Sequence, residues 1–181
     1  MSILYYDRII FVEFLEKIYT NDLVLQCIDT QFWNFSNYSE WMSSRSQNRF
    51  IESIDLDWNL VDLIDYVKNI NNSKNEIIVA ISDRQNLKHI GNIKFSHVDL
   101  VGKNAWVGVL IGDVDYRGKG VFSQSFLAMA QFLFTNFGIE SFCLGVDPRN
   151  VMAIKSYLKT GFRFTNVTEF KYEMKFDVNH N

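Results

Sequence analysis

The chain has 181 residues, 48% of them hydrophobic and 22% charged, which is the length and composition of one ordinary globular domain. Its formal net charge of −3 does not predict the basic face that nucleic acid requires. With no run of about 20 apolar residues, no signal-peptide pattern, and only Cys27 and Cys143 as cysteines, we expect a cytoplasmic protein without a membrane span or a disulfide framework.

The first 75 residues predict one strand followed by helices. The segment RIIFVEFL, Arg8 to Leu15, is rich in β-branched and aromatic residues and predicts a strand. Thr20 is a good N-cap, so TNDLVLQCI predicts a short helix that ends at Ile28. Residues 29–57 allow another short helix without fixing its place. WNLVDLIDYVKNI then repeats apolar residues at helical spacing and predicts a helix that NNSKN ends.

The rest of the chain predicts a meander and then alternating helices and strands. EIIVAISD, HIGNIKFSHV and AWVGVLIG (Ala105 to Gly112) are three strands joined by short turns, which is typical of an antiparallel meander. After the loop YRGKG the period becomes helical from Val121 to Phe137, with Gly138 as the C-cap. SFCLGV is a short buried strand, Pro148 precedes a helix that ends at Gly161, and FKYEMKF is a final strand.

The loop YRGKGVF, residues 116–122, joins a strand to the N-terminus of a helix. The first N–H groups of a helix lack partners within it, and the helix dipole favours anions there. Gly118 and Gly120 have no Cβ and let a phosphate oxygen approach the backbone, while Arg117 and Lys119 add positive charge. The spacing matches neither the Walker loop nor G-x-G-x-x-G. Taken alone, the loop is equally compatible with an ordinary turn.

Two motifs, one of them in this loop, together indicate a resemblance to a known family. The pattern [QR]-x-x-G-x-[GA] is matched at Arg117 and Gly120, and N-x-x-A-[IL]-x-x-Y-x-x-x-G-F is matched about thirty residues later. In this order they resemble the GNAT superfamily of acetyl-CoA-dependent N-acetyltransferases, and GKGVFSQS is most similar to its ribosomal-protein N-terminal acetyltransferases. The matched positions of the second motif are Asn150, Ala153, Ile154, Tyr157, Gly161 and Phe162.

One position of the loop departs from the family pattern. Phe122 stands where most members have glycine or alanine, although the ribosomal-protein type tolerates a large apolar residue there. We expect its ring to point toward the core while its backbone N–H serves the phosphate. A ring pointing outward would weaken cofactor binding.

The resemblance implies an α/β (α+β) fold with a mixed, mostly antiparallel central sheet, splayed between its fourth and fifth strands and flanked by helices. These two strands are Ala105 to Gly112 and Ser141 to Val146. It also implies a single domain over residues 1–181, with a cofactor-binding core at about 105–165 and an acceptor-side part at about 1–75. Acetyl-CoA, the acetyl donor, lies in the gap between the splayed strands, and no metal is required.

The resemblance assigns the cofactor contacts residue by residue. The pantetheine arm pairs like an added strand with Ile111, Gly112 and Asp113, and the amide of Asn150 reaches the cofactor. From the residues alone, Gly112 is also typical of a bulge and Asn150 of an N-cap. The backbone N–H groups that hold the pyrophosphate are those of Arg117, Gly118, Lys119, Gly120, Val121 and Phe122.

The resemblance gives Tyr157 the role of general acid, donating a proton to the CoA sulfur as the thiolate leaves. A phenol with a pKa of about 10 is protonated at neutral pH, as this role requires; a tyrosine that only packs the core is the alternative. Oxyanion stabilisation would come from a backbone N–H near Gly112.

The proton acceptor is left open. Some relatives use a glutamate at the position of Gly145, which has no side chain here. His97, Asp99, Asp113 and a water relay are the remaining candidates.

The acceptor is expected to be a primary amine. A small molecule such as an amino sugar, including one on a nucleotide carrier, competes with a protein N-terminus, and the missing carboxylate at Gly145 also allows a non-catalytic acyl-CoA-binding module. The resemblance allows a homodimer, and no nucleic acid or membrane partner is expected. The aromatic residues of the acceptor-side part, which we expect mainly to pack the core, are Trp33, Phe35, Tyr38, Trp41 and Trp58.

Overall fold

The structure is a computed structural model that describes residues 15–28, 30, 35–44, 50 and 58–178. Its strands are β1 (Ile18–Tyr19), β2 (Leu23–Cys27), β3 (Ile77–Asp83), β4 (His89–Asp99), β5 (Asn104–Ile111), β6 (Ser141–Val146), β7 (Arg163–Val167) and β8 (Tyr172–Asp177). Its helices are α1 (Ser36–Ser43), α2 (Leu60–Asn71), α3 (Val121–Phe137) and α4 (Val151–Thr160), and a 3₁₀ turn spans Val114–Tyr116. Apart from Leu15, the strand predicted at Arg8–Leu15 lies outside the described residues.

The strands form one sheet in the order β1-β2-β3-β4-β5-β6-β8-β7. Neighbours are antiparallel except for β5 and β6, which run parallel. These two strands pair only at Asn104↔Ser141, Ala105↔Phe142 and Trp106↔Cys143, although both continue well beyond. The predicted mixed, mostly antiparallel sheet that splays between these strands is therefore confirmed. The pair is numbered β5 and β6 because two short strands, β1 and β2, precede the meander.

The helix predicted from Thr20 to Ile28 is wrong, because this segment contains strand β2, paired antiparallel with β3. Thr20 does accept a hydrogen bond from the N–H of Leu23, at 3.0 Å, but it does so in the tight turn that joins β1 to β2. A threonine hydroxyl caps a turn as readily as a helix. The apolar residues that follow are buried against the sheet, and their pairing with β3 outweighs the local signal.

Two hydrophobic cores lie on opposite faces of the sheet. One contains the apolar faces of α3 and α4 and is rich in aromatic rings that pack on one another, stacked or edge to face. The other holds α1 and α2, and in it Phe35, Tyr38 and Trp41 are buried as expected, with Trp58 packed at its edge; Trp33 lies outside the described residues. The predicted C-caps of α3 and α4, Gly138 and Gly161, both have left-handed backbones, with φ of 71° and 108°.

Candidate active site

On one face of the sheet, the gap between β5 and β6, which we call the split, is lined by two glycines, which have no side chains. Side chains alternate along a strand, and the residues on either side of Gly108 and Gly145 pack into the core with α3 and α4. Gly108 and Gly145 therefore point to the opposite face, where both are exposed. They are the first residues on that face beyond the last ladder pair, Trp106↔Cys143. We call Gly108 and Gly145 the glycine floor.

Strand β5 ends in a bulge at Gly112. The N–H groups of Gly112 and Asp113 both donate to the carbonyl of Ile90, each at 3.1 Å, which is the pattern of a β-bulge. Because peptide groups alternate in an antiparallel ladder, those of Ile111 are directed away from β4 and toward the split. The N–H of Gly112 is thus engaged within the sheet, and the N–H directed toward the split is that of Ile111.

Gly112 is also the contact point of Trp41. A Cβ at Gly112 would overlap the six-membered ring of the indole, so only glycine fits beneath it. The Trp41 ring in turn packs against the imidazole of His89, with centroids 4.9 Å apart. Helix α1 is thereby fixed to the end of β5 at the open side of the split.

The loop before α3 presents unpaired backbone donors. Gly118 and Gly120 have φ of 73° and 77°, a conformation that favours glycine, and a Cβ on either would meet open space. Within the described residues, the N–H groups from Gly118 to Phe122 have no protein acceptor in hydrogen-bonding geometry. They lie at the N-terminus of a 17-residue helix. Donors, dipole and open space together make this loop suited to a phosphate.

Arg117 shapes the loop through its own hydrogen bonds. Its Nε donates to the carbonyl of Ile111 at 2.9 Å, and its backbone N–H donates to the carbonyl of Val114 at 3.2 Å. The guanidinium thus ties the loop to the end of β5. Of the six predicted pyrophosphate donors, Arg117 is the one whose N–H already has a protein acceptor.

Phe122 points into the core, as predicted. Its side chain is only 6% exposed, and its ring packs edge-on against Tyr157 with centroids 4.7 Å apart. The residue that departs from the family pattern is therefore the wall against which the candidate acid rests. Tyr157 is 9% exposed, and burial raises its pKa to about 12. Among the described residues its hydroxyl has no hydrogen-bond partner, yet it is not one of the side-chain oxygens sealed from solvent.

Asn150 caps α4, as its residue type indicated. Its Oδ1 accepts a hydrogen bond from the N–H of Ala153 at 3.2 Å, and its own N–H donates to the carbonyl of Asp147 at 2.9 Å. The preceding turn is held by the ion pair between Asp147 and Arg149, at 2.6 Å. The cap sets the start of the helix that carries Tyr157, and a cofactor contact by the Asn150 amide stays a prediction.

The three side chains considered as proton acceptors are not gathered at the open end of the split. Asp113 is paired with Lys88 at 2.6 Å, and although burial opposes it, this bond and the N–H of Asp115 hold its pKa below the ordinary value. His97 and Asp99 lie at the far end of β4, where Ser96 pairs with Trp106 and β5 is still joined to β6. That end is several residues from Ile111.

His89 is the titratable residue that sequence reasoning missed. It begins β4 next to the bulge of β5, so it lies at the open end of the sheet. Its Nε2 faces two acceptors, the carbonyl of Gly91 at 3.0 Å and Oδ1 of Asn92 at 2.9 Å, which places the proton on Nε2. Burial lowers its pKa. The predicted antiparallel meander could have indicated this position, because the start of β4 then lies beside the end of β5.

A cavity of about 240 Å³ lies beside the loop that precedes α3. Tyr116, Lys119 and Gln124 contribute to its lining, and its carboxylates are already bonded, Asp22 to Gln124 and Asp83 to Tyr116. Among the described residues, no group of three or more His, Cys, Asp or Glu side chains is arranged to hold a metal ion. In the same part of the chain, no helix combines the length and the apolar character needed to cross a bilayer.

Comparisons with known proteins agree with this geometry. A family model described as an acetyltransferase (GNAT) domain matches residues 22–163. No curated protein sequence matches the chain. Among solved structures, the ribosomal L7/L12 α-N-protein acetyltransferase in complex with CoA has a TM-score of 0.77 at 13% identity, covering 90% of this chain and 98% of its own.

Two further solved structures have the same fold with other bound ligands. The microcin C7 self-immunity acetyltransferase in complex with acetyl-CoA and AMP has a TM-score of 0.75 at 15% identity, covering 88% of this chain and 94% of its own. The spermidine N-acetyltransferase of Vibrio cholerae in complex with CoA and spermine has a TM-score of 0.69 at 17% identity, covering 87% and 96%. At these identities the likeness shows the fold and leaves the acceptor undetermined.

Proposed function

We propose that this chain, which belongs to the GNAT acetyltransferase family and is an acetyl-CoA-dependent N-acetyltransferase, acetylates the primary amine of a small molecule. The expected acceptor is an amino sugar, including one on a nucleotide carrier. The observation that carries this proposal is the glycine floor. Neither glycine contributes a side chain at the split, which is bordered by the indole of Trp106 and crossed above Gly145 by the side chain of Lys171. An indole offers a flat apolar surface on which a sugar ring can stack.

The residues around the split fit acetyl-CoA. The unpaired N–H groups from Gly118 to Phe122 would hold its pyrophosphate. At the strand end from Ile111 to Asp113, the N–H of Ile111 would pair with the pantetheine arm, since those of Gly112 and Asp113 already donate to Ile90. The amide of Asn150 would approach the same arm. Arg117 would act mainly by fixing the loop, since its Nε is bonded to Ile111.

Tyr157 would supply the proton that the departing sulfur needs. The amine nitrogen forms a bond to the acetyl carbon, the carbon–sulfur bond breaks, and the thiolate takes the phenolic proton. Because burial raises its pKa to about 12, the phenol is protonated at neutral pH and has a proton to donate. Phe122 would hold the ring of Tyr157 in place. The proton released by the amine would leave through water in the exposed opening, because Gly145 provides no carboxylate there.

Two other functions are kept as alternatives. A protein N-terminus as acceptor is favoured by the resemblance of GKGVFSQS and by the shared fold with the ribosomal-protein enzyme. A non-catalytic acyl-CoA-binding module is favoured by the missing carboxylate at Gly145. The indole of Trp106 beside the glycine floor, on which a single sugar ring can stack, supports a small acceptor.

The test is thiol release from acetyl-CoA with a panel of amino sugars, N-terminal peptides and spermidine. We expect acetyl-CoA to raise the Tm of the protein and an amino sugar to give the highest kcat/KM. Thermal stabilisation without turnover of any amine would favour the binding module. Fastest turnover with a peptide would replace the small-molecule proposal.

A further inference from the structure

One lysine crosses the split on the face away from Tyr157. A Cβ at Gly145 would overlap Cε of Lys171 and lie 3.0 Å from its Nζ, so the stem of the lysine runs directly over the β6 glycine of the floor. The same Nζ lies over the face of the Trp106 ring on β5, 5.5 Å from its centroid, which is a cation–π contact. Lys171 therefore reaches from β6 to β5 at the point where the two strands part.

The backbone of Lys171 is fixed by a closed turn between β7 and β8. Its N–H donates to Oγ1 of Thr168 at 3.0 Å, and its carbonyl accepts from the N–H and Oγ1 of Thr168 at 3.0 and 2.9 Å. With both backbone groups bonded to one threonine, the Cα of Lys171 is held beside the split. The side chain then has only its own rotamers with which to move the ammonium group.

Among the described residues around this opening, no carboxylate contacts the ammonium of Lys171. Lys94 is opposite Gly108 in register, but it is paired with Glu76 at 2.8 Å. Glu173 is opposite Gly145 and shares its face of the sheet, so it lies nearby. Within the part of the chain that the structure describes, no carboxylate oxygen lies within 4.0 Å of the Lys171 Nζ.

We propose that Lys171 binds an anionic group on the acceptor, and that the opening takes an amino sugar carrying a phosphate close to its amine. In this arrangement the ammonium of Lys171 leaves the face of the Trp106 ring to contact the phosphate, and the sugar ring takes its place against the indole. The amine nitrogen stands over Gly108, where a Cβ would meet open space. A charge-assisted hydrogen bond to phosphate is stronger than a neutral one. The same ammonium repels a polyamine. This inference rests on the proposed function and specifies the acceptor of the same site.

The test compares glucosamine with glucosamine 6-phosphate and glucosamine 1-phosphate as acceptors, by thiol release. For the wild type we expect kcat/KM for at least one phosphorylated sugar to exceed that for glucosamine by roughly tenfold, as one charged contact implies. Lys171→Met, which keeps the stem and removes the charge, reduces this ratio to about one, whereas Lys171→Arg retains most of it. The matched control Lys68→Met, on the outer side of α2, leaves the ratio unchanged.

Equal kcat/KM for the three sugars in the wild type would overturn the inference, and so would a ratio that survives Lys171→Met or a higher rate with an acidic peptide. If no amine releases thiol, the proposed function fails, and binding then tests Lys171 separately. Glucosamine 6-phosphate must raise the Tm of the wild-type complex with CoA and not that of Lys171→Met. Equal shifts in both proteins, or none in either, would contradict the role of Lys171.

Discussion

Replacing Phe122 with leucine tests whether the residue that departs from the family pattern supports the catalytic tyrosine. The Phe122 ring packs on Tyr157 at 4.7 Å and on Phe126 at 5.5 Å, and it is almost fully buried. A well-tolerated apolar swap costs roughly 1 kcal/mol, and losing the aromatic pairs adds about 1 more. We therefore expect the free energy of unfolding to fall by about 2 kcal/mol. A protein stable by about 5–15 kcal/mol stays folded after this loss.

The informative comparison is between the change in the Kd for acetyl-CoA and the change in kcat. The backbone N–H of residue 122 remains after Phe122→Leu, so the Kd for acetyl-CoA should change by less than about threefold, while a loosened Tyr157 should lower kcat by about tenfold. Phe95→Leu is the matched control, since Phe95 is fully buried and its ring contacts Phe142 instead of Tyr157. Urea unfolding, calorimetry and thiol release give the three quantities. An unchanged kcat, or an equal loss in Phe95→Leu, would refute the supporting role.

Two further predictions concern stability. Gly112→Ala forces a Cβ into the buried indole of Trp41 and should cost about 3 kcal/mol by urea unfolding, whereas Gly108→Ala, whose Cβ meets open space, should cost less than about 0.5; equal costs would show that the indole does not pack there. Burial places the pKa of His89 below its unfolded value of about 6.5, so the unfolded state binds the extra proton and stability is lost as the pH falls below 6.5 toward the folded pKa. The urea midpoint should therefore drop more between pH 7 and 5.5 in the wild type than in His89→Gln, and parallel curves would contradict this.

The sequence predicts those elements whose local pattern and tertiary role agree. Helix α2 has apolar residues at helical spacing, and its buried side chains Leu63, Val67 and Ile70 face the core. Strands β3 to β6 and β8 were predicted because each is a short apolar or alternating run bounded by turn residues. Strand β2 was predicted as a helix because a threonine cap is not specific to helices. Strand β7, whose residues are all exposed, carries no burial pattern and was not predicted.

Those parts of the candidate site that lie within one segment of the chain are predictable from the sequence. Those that depend on how distant strands pair are not. The loop from Gly118 to Phe122 and the burial of the Phe122 ring follow from local glycines and from the hydrophobic pattern. The glycine floor depends on which residue of β5 opposes which residue of β6, and the path of Lys171 depends on a turn between two other strands. These juxtapositions are set by strand pairing between distant segments, which periodicity does not encode.

The role of Tyr157 as proton donor is tested most directly by the effect of Tyr157→Phe on acetyl-CoA binding and on turnover, measured in the same preparation with the best amino sugar as acceptor. The substitution removes only the hydroxyl and keeps the ring that packs against Phe122. We expect the Kd for acetyl-CoA, measured by calorimetry, to change by less than about threefold, while kcat falls by about 10²-fold, the usual contribution of a general acid. A kcat within about twofold of the wild type would contradict the assignment of Tyr157 as the proton donor.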